Sequence, residues 1–162
     1  MQEQDIYGKY GVYLPKILDD LSQRIQEAND RVKQETGQKL FEHFNARVKQ
    51  AASMEEKCQR KNLPRVPESA LKEIRDAIGI RIVCGFIEDI YQTIEVLRQL
   101  EGCEIVLEKD YIRAAKPNGY RSYHLILEVE TPYEDCHGQN PGRYFVEIQL
   151  RTIAMDSWAS LE

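Results

Sequence analysis

The segment Tyr144-Phe-Val-Glu-Ile-Gln-Leu-Arg151 shows most plainly how this chain folds. Polar and apolar side chains alternate along it, which is the pattern of a β-strand with one buried face. The aliphatic residues therefore belong to the core, and the polar residues share the opposite face. That polar face carries Glu147, Gln149 and Arg151. It is directed either at a ligand or at solvent, and the strand alone leaves both alternatives open.

Strand-like and helix-like segments are intermixed along the rest of the chain. Apolar residues at three- and four-residue spacing predict helices over 14–28 and 88–100, and a final helix from Ile153 with Thr152 as its cap. The predicted strands cover residues 44–50, 78–86, 104–112 and 120–130. This order indicates an α/β (α+β) domain, with one mixed β-sheet of about five strands flanked by helices.

Length and composition fit a single domain. The chain has 162 residues, of which 42% are apolar and 30% are charged, as is typical of one globular unit. We expect residues 1–162 to form one domain, in which residues 1–40 make an N-terminal helical segment. The sequence stops inside a predicted helix with no cap or breaker, so we expect the C-terminal helix to be cut short.

Composition disfavours several classes of protein. No apolar run reaches the ~20 residues of a membrane-spanning helix, and the N-terminus lacks the pattern of a signal peptide, so a cytoplasmic protein is expected. The four cysteines are scattered without a CxxC pair, which predicts free thiols and disfavours a zinc site. A net charge of −5 disfavours general binding to nucleic acid.

A basic island on this acidic chain indicates a small polyanionic ligand. Arg47 and Lys49 are two residues apart on a predicted strand and therefore share a face. Ser53-Met-Glu-Glu56 has the form of a capping box, which predicts the start of a short helix with Lys57 in its first turns. Cations beside the free N–H groups of a helix N-terminus suit a triphosphate. A solvated charged face is the competing interpretation.

A possible base-binding region follows the turn-forming loop Lys116-Pro-Asn-Gly119. Tyr120, Ser122 and His124 are expected on one face of the next strand. A tyrosine ring near Asn and Lys offers a stacking surface and polar groups for a base edge or a phosphate. A lone histidine in a strand is more often structural, and this region alone does not decide between the two roles.

Two carboxylates are candidates for a metal site. Asp76 directly precedes a predicted strand, and Glu147 lies on the polar face of the last one. A carboxylate in such a position can hold Mg²⁺ or accept the proton of a hydroxyl nucleophile. Taken alone, each residue is equally consistent with an exposed strand end.

Five motifs in this order resemble the synthetase domain of the RelA/SpoT family, and most closely its single-domain members, the small alarmone synthetases. The resemblance runs from about Arg47 to Glu162. The motifs are Lys109-Asp-Tyr-Ile112, Lys116-Pro-Asn-Gly-Tyr-Arg-Ser-Tyr-His124, Asp76-Ala-Ile-Gly-Ile-Arg81, Glu147-Ile-Gln-Leu-Arg-Thr152 and Trp158-Ala-Ser-Leu-Glu162. The resemblance implies a nucleotidyltransferase-like synthetase fold, with residues 44–162 as the catalytic core.

The resemblance also implies a role for each matching residue. The residues implied to bind the ATP phosphates are Arg47, Lys49, Ser53 and Lys57. Asp76 and Glu147 are implied to hold Mg²⁺, and the implied catalytic residues are Glu147, Asp76 and Arg81. Glu147 is expected to activate the 3′-hydroxyl of the acceptor, and Tyr120 is expected to stack on guanine. The residues implied to bind the guanosine substrate are Tyr120, Lys109, Lys116, Asn118, His124 and Gln149.

The implied reaction transfers the β,γ-pyrophosphate of ATP to the 3′-oxygen of GDP or GTP and releases AMP. Its product is the stringent-response alarmone, and the full-length protein is expected to be a homotetramer. Long members of the family also carry a hydrolase with a His-Asp metal site. None of the three histidines here precedes an aspartate (His43, His124 and His137), so synthesis alone is expected.

Two alternatives remain beside this interpretation. The first is a pyrophosphotransferase of the same fold that acts on adenosine nucleotides or on the 3′ end of tRNA. The second is a catalytically inactive nucleotide sensor, although the presence of both Asp76 and Glu147 argues against it. Before the motifs are considered together, a structural or interaction module with a charged sheet face is also consistent with the chain.

Overall fold

A five-stranded mixed β-sheet forms the centre of the computed structural model. The structure describes residues 4–114, 117 and 119–161, with side chains as far as residue 157. The strands are β1 (His43–Val48), β2 (Ile78–Cys84), β3 (Cys103–Asp110), β4 (Tyr123–Thr131) and β5 (Gly142–Thr152). Their order is β1-β2-β5-β4-β3, in which β2 and β5 are parallel and the other neighbours antiparallel. The predicted fold class is confirmed.

Four α-helices accompany the sheet in the described residues: α1 (Leu14–Thr36), α2 (Ala51–Arg60), α3 (Ile87–Arg98) and α4 (Ile153–Leu161). A short 3₁₀ helix, Gly8–Tyr13, leads into α1, and a π-helical turn, Ser69–Glu73, lies between α2 and β2. In this part of the chain no helix combines the length and the apolar character needed to cross a membrane.

The turn from α1 into β1 is held by two residues. Gly37 ends the helix in the left-handed conformation, with φ of 80°, and its N–H donates to the carbonyl of Lys33. The buried Asn29 side chain then bonds the following backbone, accepting from the N–H of Leu40 at 2.7 Å and donating to the carbonyl of Phe41 at 3.3 Å. These contacts fix where β1 begins.

The hydrophobic core lies between the sheet and helices α1 and α3. Buried residues of both helices and of the three central strands form one cluster. Along β5 the aliphatic residues are buried, while Glu147 and Gln149 on the other face are partly exposed, as the alternating sequence predicts. The polar face of β1, β2 and β5 therefore remains open and is available to a ligand.

Two local predictions are wrong, and one helix cap is confirmed. Helix α2 begins at Ala51 rather than after a Ser53 cap, and Ser53 lies exposed in its first turn. The pairing of β1 with β2 continues to Lys49, whose N–H donates to Ala77, and Gln50 then takes the N-cap position of the helix. Strand β4 begins at Tyr123, three residues later than predicted. The Thr152 hydroxyl accepts from the N–H of Met155 at 3.2 Å, as expected of an N-cap.

Candidate active site

Two rows of residues cross the open face of the sheet. The strand register places Arg47 on β1 beside Gly79 on β2, and Gly79 beside Glu147 on β5. Residues paired across neighbouring strands point to the same face. The adjacent row contains Asn45, Arg81, Gln149, His124 and Lys109, in the order of the strands. The structure thus gathers predicted site residues from all five strands onto one surface.

A cavity of about 150 Å³ opens on this face beside β1, β2 and β5. Its lining consists of Asn45, Arg47, Lys49, Asp76, Gly79, Ile80, Arg81, Glu147 and Gln149. All but three of these residues, namely Asn45, Gly79 and Ile80, were named from the sequence as site residues. The cavity therefore has cationic and anionic groups on its walls, and strand β2 forms its floor.

Asp76 is held between two lysines at the edge of the cavity. Its Oδ2 atom accepts from Lys49 Nζ at 2.9 Å and from Lys57 Nζ at 2.7 Å. Burial tends to raise the pKa of Asp76, but the hydrogen bonds from Lys57 and Lys49 outweigh it and hold that pKa below its usual value. The Oδ1 atom is buried and has no hydrogen-bond partner among the described residues. Asp76 is thus a carboxylate, with one oxygen left for a further ligand.

Lys49 is fixed through its backbone as well as through its side chain. Its N–H donates to the carbonyl of Ala77 at 2.8 Å, and its carbonyl accepts from the Tyr7 hydroxyl at 2.7 Å. Tyr7 is buried, and burial together with the nearby charge of Asp76 raises its pKa. Sequence reasoning missed Tyr7, because it lies 42 residues before Lys49 and outside every motif.

Two arginines at the cavity have no side-chain partner among the residues that the structure describes. Arg47 and Arg81 are exposed, and within the part of the chain that the structure describes neither forms an ion pair or a side-chain hydrogen bond. Ser53 is also exposed and lies outside the set of residues that line the cavity, as does Lys57. The cations available to a ligand are therefore these arginines, whereas Lys49 and Lys57 already share Asp76.

A second cluster of polar side chains surrounds Tyr120. Arg151 Nη2 donates to the Tyr120 hydroxyl at 2.6 Å, and the guanidinium lies 5.1 Å from the ring centroid. The Tyr120 hydroxyl is also 3.2 Å from His124 Nε2, which is 2.6 Å from Ser122 Oγ. These contacts bring together the three residues that were predicted to share a face. Arg151 was named with the polar face of its strand but not as a site residue.

A chain of hydrogen bonds along β5 joins the Tyr120 cluster to the cavity. Arg151 Nη2 donates to Gln149 Oε1 at 3.4 Å, and Gln149 Nε2 donates to Glu147 Oε1 at 3.0 Å. Arg151 is 8% exposed, and its Nε atom is buried without a partner in the described residues. The period of two along β5, which places Arg151 with Glu147 and Gln149, was the available signal for including it.

The remaining predicted residues lie near the loop that follows β3. Lys109 is exposed near the end of β3, in register with His124. The Asp110 carboxylate next to it accepts from the N–H groups of Ile112 and Arg113 and from the Tyr91 hydroxyl, which fixes the turn into the loop. Lys116 and Asn118 fall outside the described residues.

The carboxylates of the cavity suit a hard cation. Asp76 and Glu147 both line it, and the described residues hold no group of three or more potential metal ligands. Mg²⁺ is usually bound by one or two carboxylates together with phosphate oxygens and water. The unpartnered Oδ1 atom of Asp76 and the Glu147 carboxylate fit that donor set.

Solved structures of small alarmone synthetase 1 from Bacillus subtilis share this fold. The structure bound to its product pppGpp matches with a TM-score of 0.78 and 31% identity, covering 94% of this chain and 75% of that chain. The structure bound to AMPCPP matches with a TM-score of 0.73 and 27% identity, covering 94% and 74%. Fold and site together define an α+β domain of the small alarmone synthetase type.

The chain belongs to the RelA/SpoT family, because the family profile described as "Region found in RelA / SpoT proteins" matches residues 46–162. GTP pyrophosphokinase YwaC from Bacillus subtilis (strain 168) is 46% identical to this chain over 127 residues. That alignment covers 78% of this chain and 58% of the relative, so the chain spans less than two-thirds of the relative's length. The predicted family is confirmed.

Proposed function

We propose that this chain is a GTP pyrophosphokinase that transfers the β,γ-pyrophosphate of ATP to the 3′-hydroxyl of GDP or GTP, releasing AMP. The observation that carries the proposal is the hydrogen-bonded chain along β5, which joins a cavity of cations and carboxylates to an aromatic cluster. A two-nucleotide enzyme needs a phosphate site and a base site at fixed separation. The names and ligands of the relatives support the same activity.

The ATP phosphates are assigned to the cationic side of the cavity. Arg47 and Arg81 supply guanidinium groups that have no partner in the described part of the chain, and such groups bind phosphate oxygens in a bidentate manner. Lys49 and Lys57 add positive charge that Asp76 holds in place. Ser53, in the first turn of α2, does not line the cavity, and we assign it to the phosphates as a hydroxyl near the helix N-terminus.

The guanosine nucleotide is assigned to the cluster around Tyr120. An aromatic ring provides a stacking surface for a base, and the Arg151 contacts hold that ring in one orientation. His124 and Gln149 border the same region, and Lys109 with the loop residues Lys116 and Asn118 complete the proposed set. With the base on the Tyr120 ring, we expect the ribose of the acceptor to lie towards Glu147.

The transfer itself depends mainly on positioning and on charge neutralisation. The acceptor 3′-oxygen attacks the β-phosphorus of ATP, the bond from that phosphorus to the α,β-bridging oxygen breaks, and AMP leaves. Glu147 accepts the proton of the 3′-hydroxyl, while Arg47 and Arg81 offset the charge on the transferred group. Asp76 and Glu147 would hold Mg²⁺, which supplies further neutralisation of the phosphates when it is bound.

The test is a product assay with a panel of acceptors. The chain is incubated with Mg²⁺, ATP and one of GDP, GTP, GMP, ADP or tRNA, and the products are separated by anion exchange. We expect a guanosine product with a 3′-pyrophosphate and one equivalent of AMP. Products on ADP or tRNA alone would establish the adenosine or tRNA alternative, and ATP binding without any turnover would establish the sensor.

A paired substitution tests the role of Glu147. Glu147→Gln keeps the shape and the hydrogen bond from Gln149 but removes the charge, and general-base loss typically costs ~10²–10⁴-fold in rate. Glu130→Gln changes an exposed glutamate on β4 and serves as the control. If both variants synthesise product at the wild-type rate, Glu147 is not the base.

A further inference from the structure

Gly79 occupies the centre of the row that crosses the cavity. Its register neighbours are Arg47 on β1 and Glu147 on β5, so a cation stands on one side and a carboxylate on the other. Neighbouring strands are about 4.8 Å apart, which separates the backbones of Arg47 and Glu147 by roughly 10 Å. The single residue between them contributes no side chain, and it lines the cavity floor.

Neither the backbone nor the packing explains a glycine at this position. Its φ lies outside the left-handed range in which side chains are strained, and a Cβ atom built on Gly79 meets no heavy atom within 4 Å. A glycine inside a strand weakens it, because the residue has high conformational entropy when unfolded and packs no side chain. A β-branched residue here is expected to strengthen the sheet. A side chain at residue 79 would instead fill part of the cavity that Gly79 lines.

We propose that Gly79 determines what the cavity admits: the missing side chain leaves room for the phosphate chain of ATP to lie across β2 between Arg47 and Glu147. The inference rests on the proposed function and assigns the phosphate path within that site. A phosphate group with a bound cation matches the row, since its oxygens face Arg47 and its cation faces Glu147. Any side chain at residue 79 would stand about 5 Å from both neighbours and occupy that path.

The test compares substitutions at two glycines of the same strand region. Gly79→Ala and Gly79→Val add one and three carbons to the cavity floor. Gly85→Ala and Gly85→Val are the matched controls, because Gly85 directly follows β2, has no left-handed φ, and its Cβ position lies 3.9 Å from the nearest heavy atom. Binding of the α,β-methylene analogue of ATP is measured by calorimetry, synthesis is measured with ATP and GDP, and each variant is melted.

The expected result separates binding from stability. Both Gly79 variants should melt at or above the wild-type temperature, whereas affinity for the analogue should fall about tenfold in Gly79→Ala and ~10²-fold or more in Gly79→Val. The Gly85 variants should bind and react as the wild type does. Even if Gly79→Val proves unstable, the Ala pair alone decides the outcome.

Two distinct failures can be told apart. If the wild type synthesises the alarmone and stable Gly79 variants bind and react equally well, the phosphate path does not cross Gly79 and this inference is wrong. If the wild type makes no guanosine product, the proposed function fails first, and the inference that rests on it fails with it.

Discussion

Tyr7→Phe is expected to weaken both the stability of the domain and its binding of ATP. The substitution keeps the ring, which is 4% exposed, and removes only the hydroxyl that donates to the Lys49 carbonyl at 2.7 Å. A carbonyl left without its donor costs about 1–3 kcal/mol when it is buried, and the partly buried position of this bond predicts the lower end of that range. In a domain of this size each kcal/mol lowers the melting temperature by roughly 2–4 °C.

The effect on ATP follows from the position of Lys49. Lys49 directly follows β1, and its backbone is bonded to Ala77 through the N–H and to Tyr7 through the carbonyl. Its side chain donates to Asp76 at the cavity. If the freed carbonyl displaces Lys49 at a cost of ~1 kcal/mol to the bound state, KM for ATP rises about fivefold while KM for GDP is unchanged. Urea unfolding and initial rates at varied ATP measure the two quantities.

Tyr10→Phe is the matched control for this prediction. Tyr10 lies in the 3₁₀ helix that Tyr7 directly precedes, and its hydroxyl makes no hydrogen bond within the described residues. Its removal should leave both the melting temperature and KM for ATP at wild-type values. Equal stability and equal KM for ATP in Tyr7→Phe and Tyr10→Phe would refute a role for the Tyr7 hydroxyl. A loss of stability without a change in KM would limit Tyr7 to a structural role.

Three further predictions concern the charges of the site. The pKa of Asp76 is lowered in the folded state, so its carboxylate stabilises the domain fully above the unfolded pKa of about 3.8 and less as the pH falls through the folded pKa. The difference in unfolding free energy between the wild type and Asp76→Asn, measured with urea, should therefore shrink below about pH 4. Arg151→Gln should raise KM for GDP about tenfold without changing KM for ATP, because it removes the hydrogen bond and the guanidinium contact that Arg151 makes with Tyr120. Tyr120→Phe, which keeps the ring, should raise KM for GDP less, and equal KM changes for both substrates would contradict this. Removing divalent cations with EDTA should stop synthesis while circular dichroism stays unchanged, and full activity without them would exclude a required metal.

The strands were predictable because their pattern is local. The alternation that defines β5 and the β-rich run of β2 place each strand within two residues of its observed bounds. The start of α2 was not predictable in this way, because the pairing of Lys49 with Ala77, rather than the Ser53 sequence, decides it. Local motifs describe what a segment prefers, and tertiary hydrogen bonds decide where it stops.

The candidate site was predictable as a set of residues but not as an arrangement. Motif order named Asp76, Arg81 and Glu147, yet the parallel pairing of β2 with β5 is what places Gly79 beside Glu147. Parallel partners are far apart in sequence, so no spacing within either strand reveals their register. Tyr7 and Arg151 were not predicted as site residues because each acts through another residue. Tyr7 bonds the backbone carbonyl of Lys49, and Arg151 contacts the side chain of Tyr120.

A single strand sets the distance between the two halves of the proposed site. Glu147 and Arg151 are four residues apart on β5, about 13 Å at 3.3 Å per residue, and Gln149 bonds to both of them. Because β5 pairs on both sides with β2 and β4, it cannot slide without breaking the centre of the sheet. For the proposed transfer, which depends on positioning, this rigidity is expected to keep the Tyr120 ring and the Glu147 carboxylate at one separation.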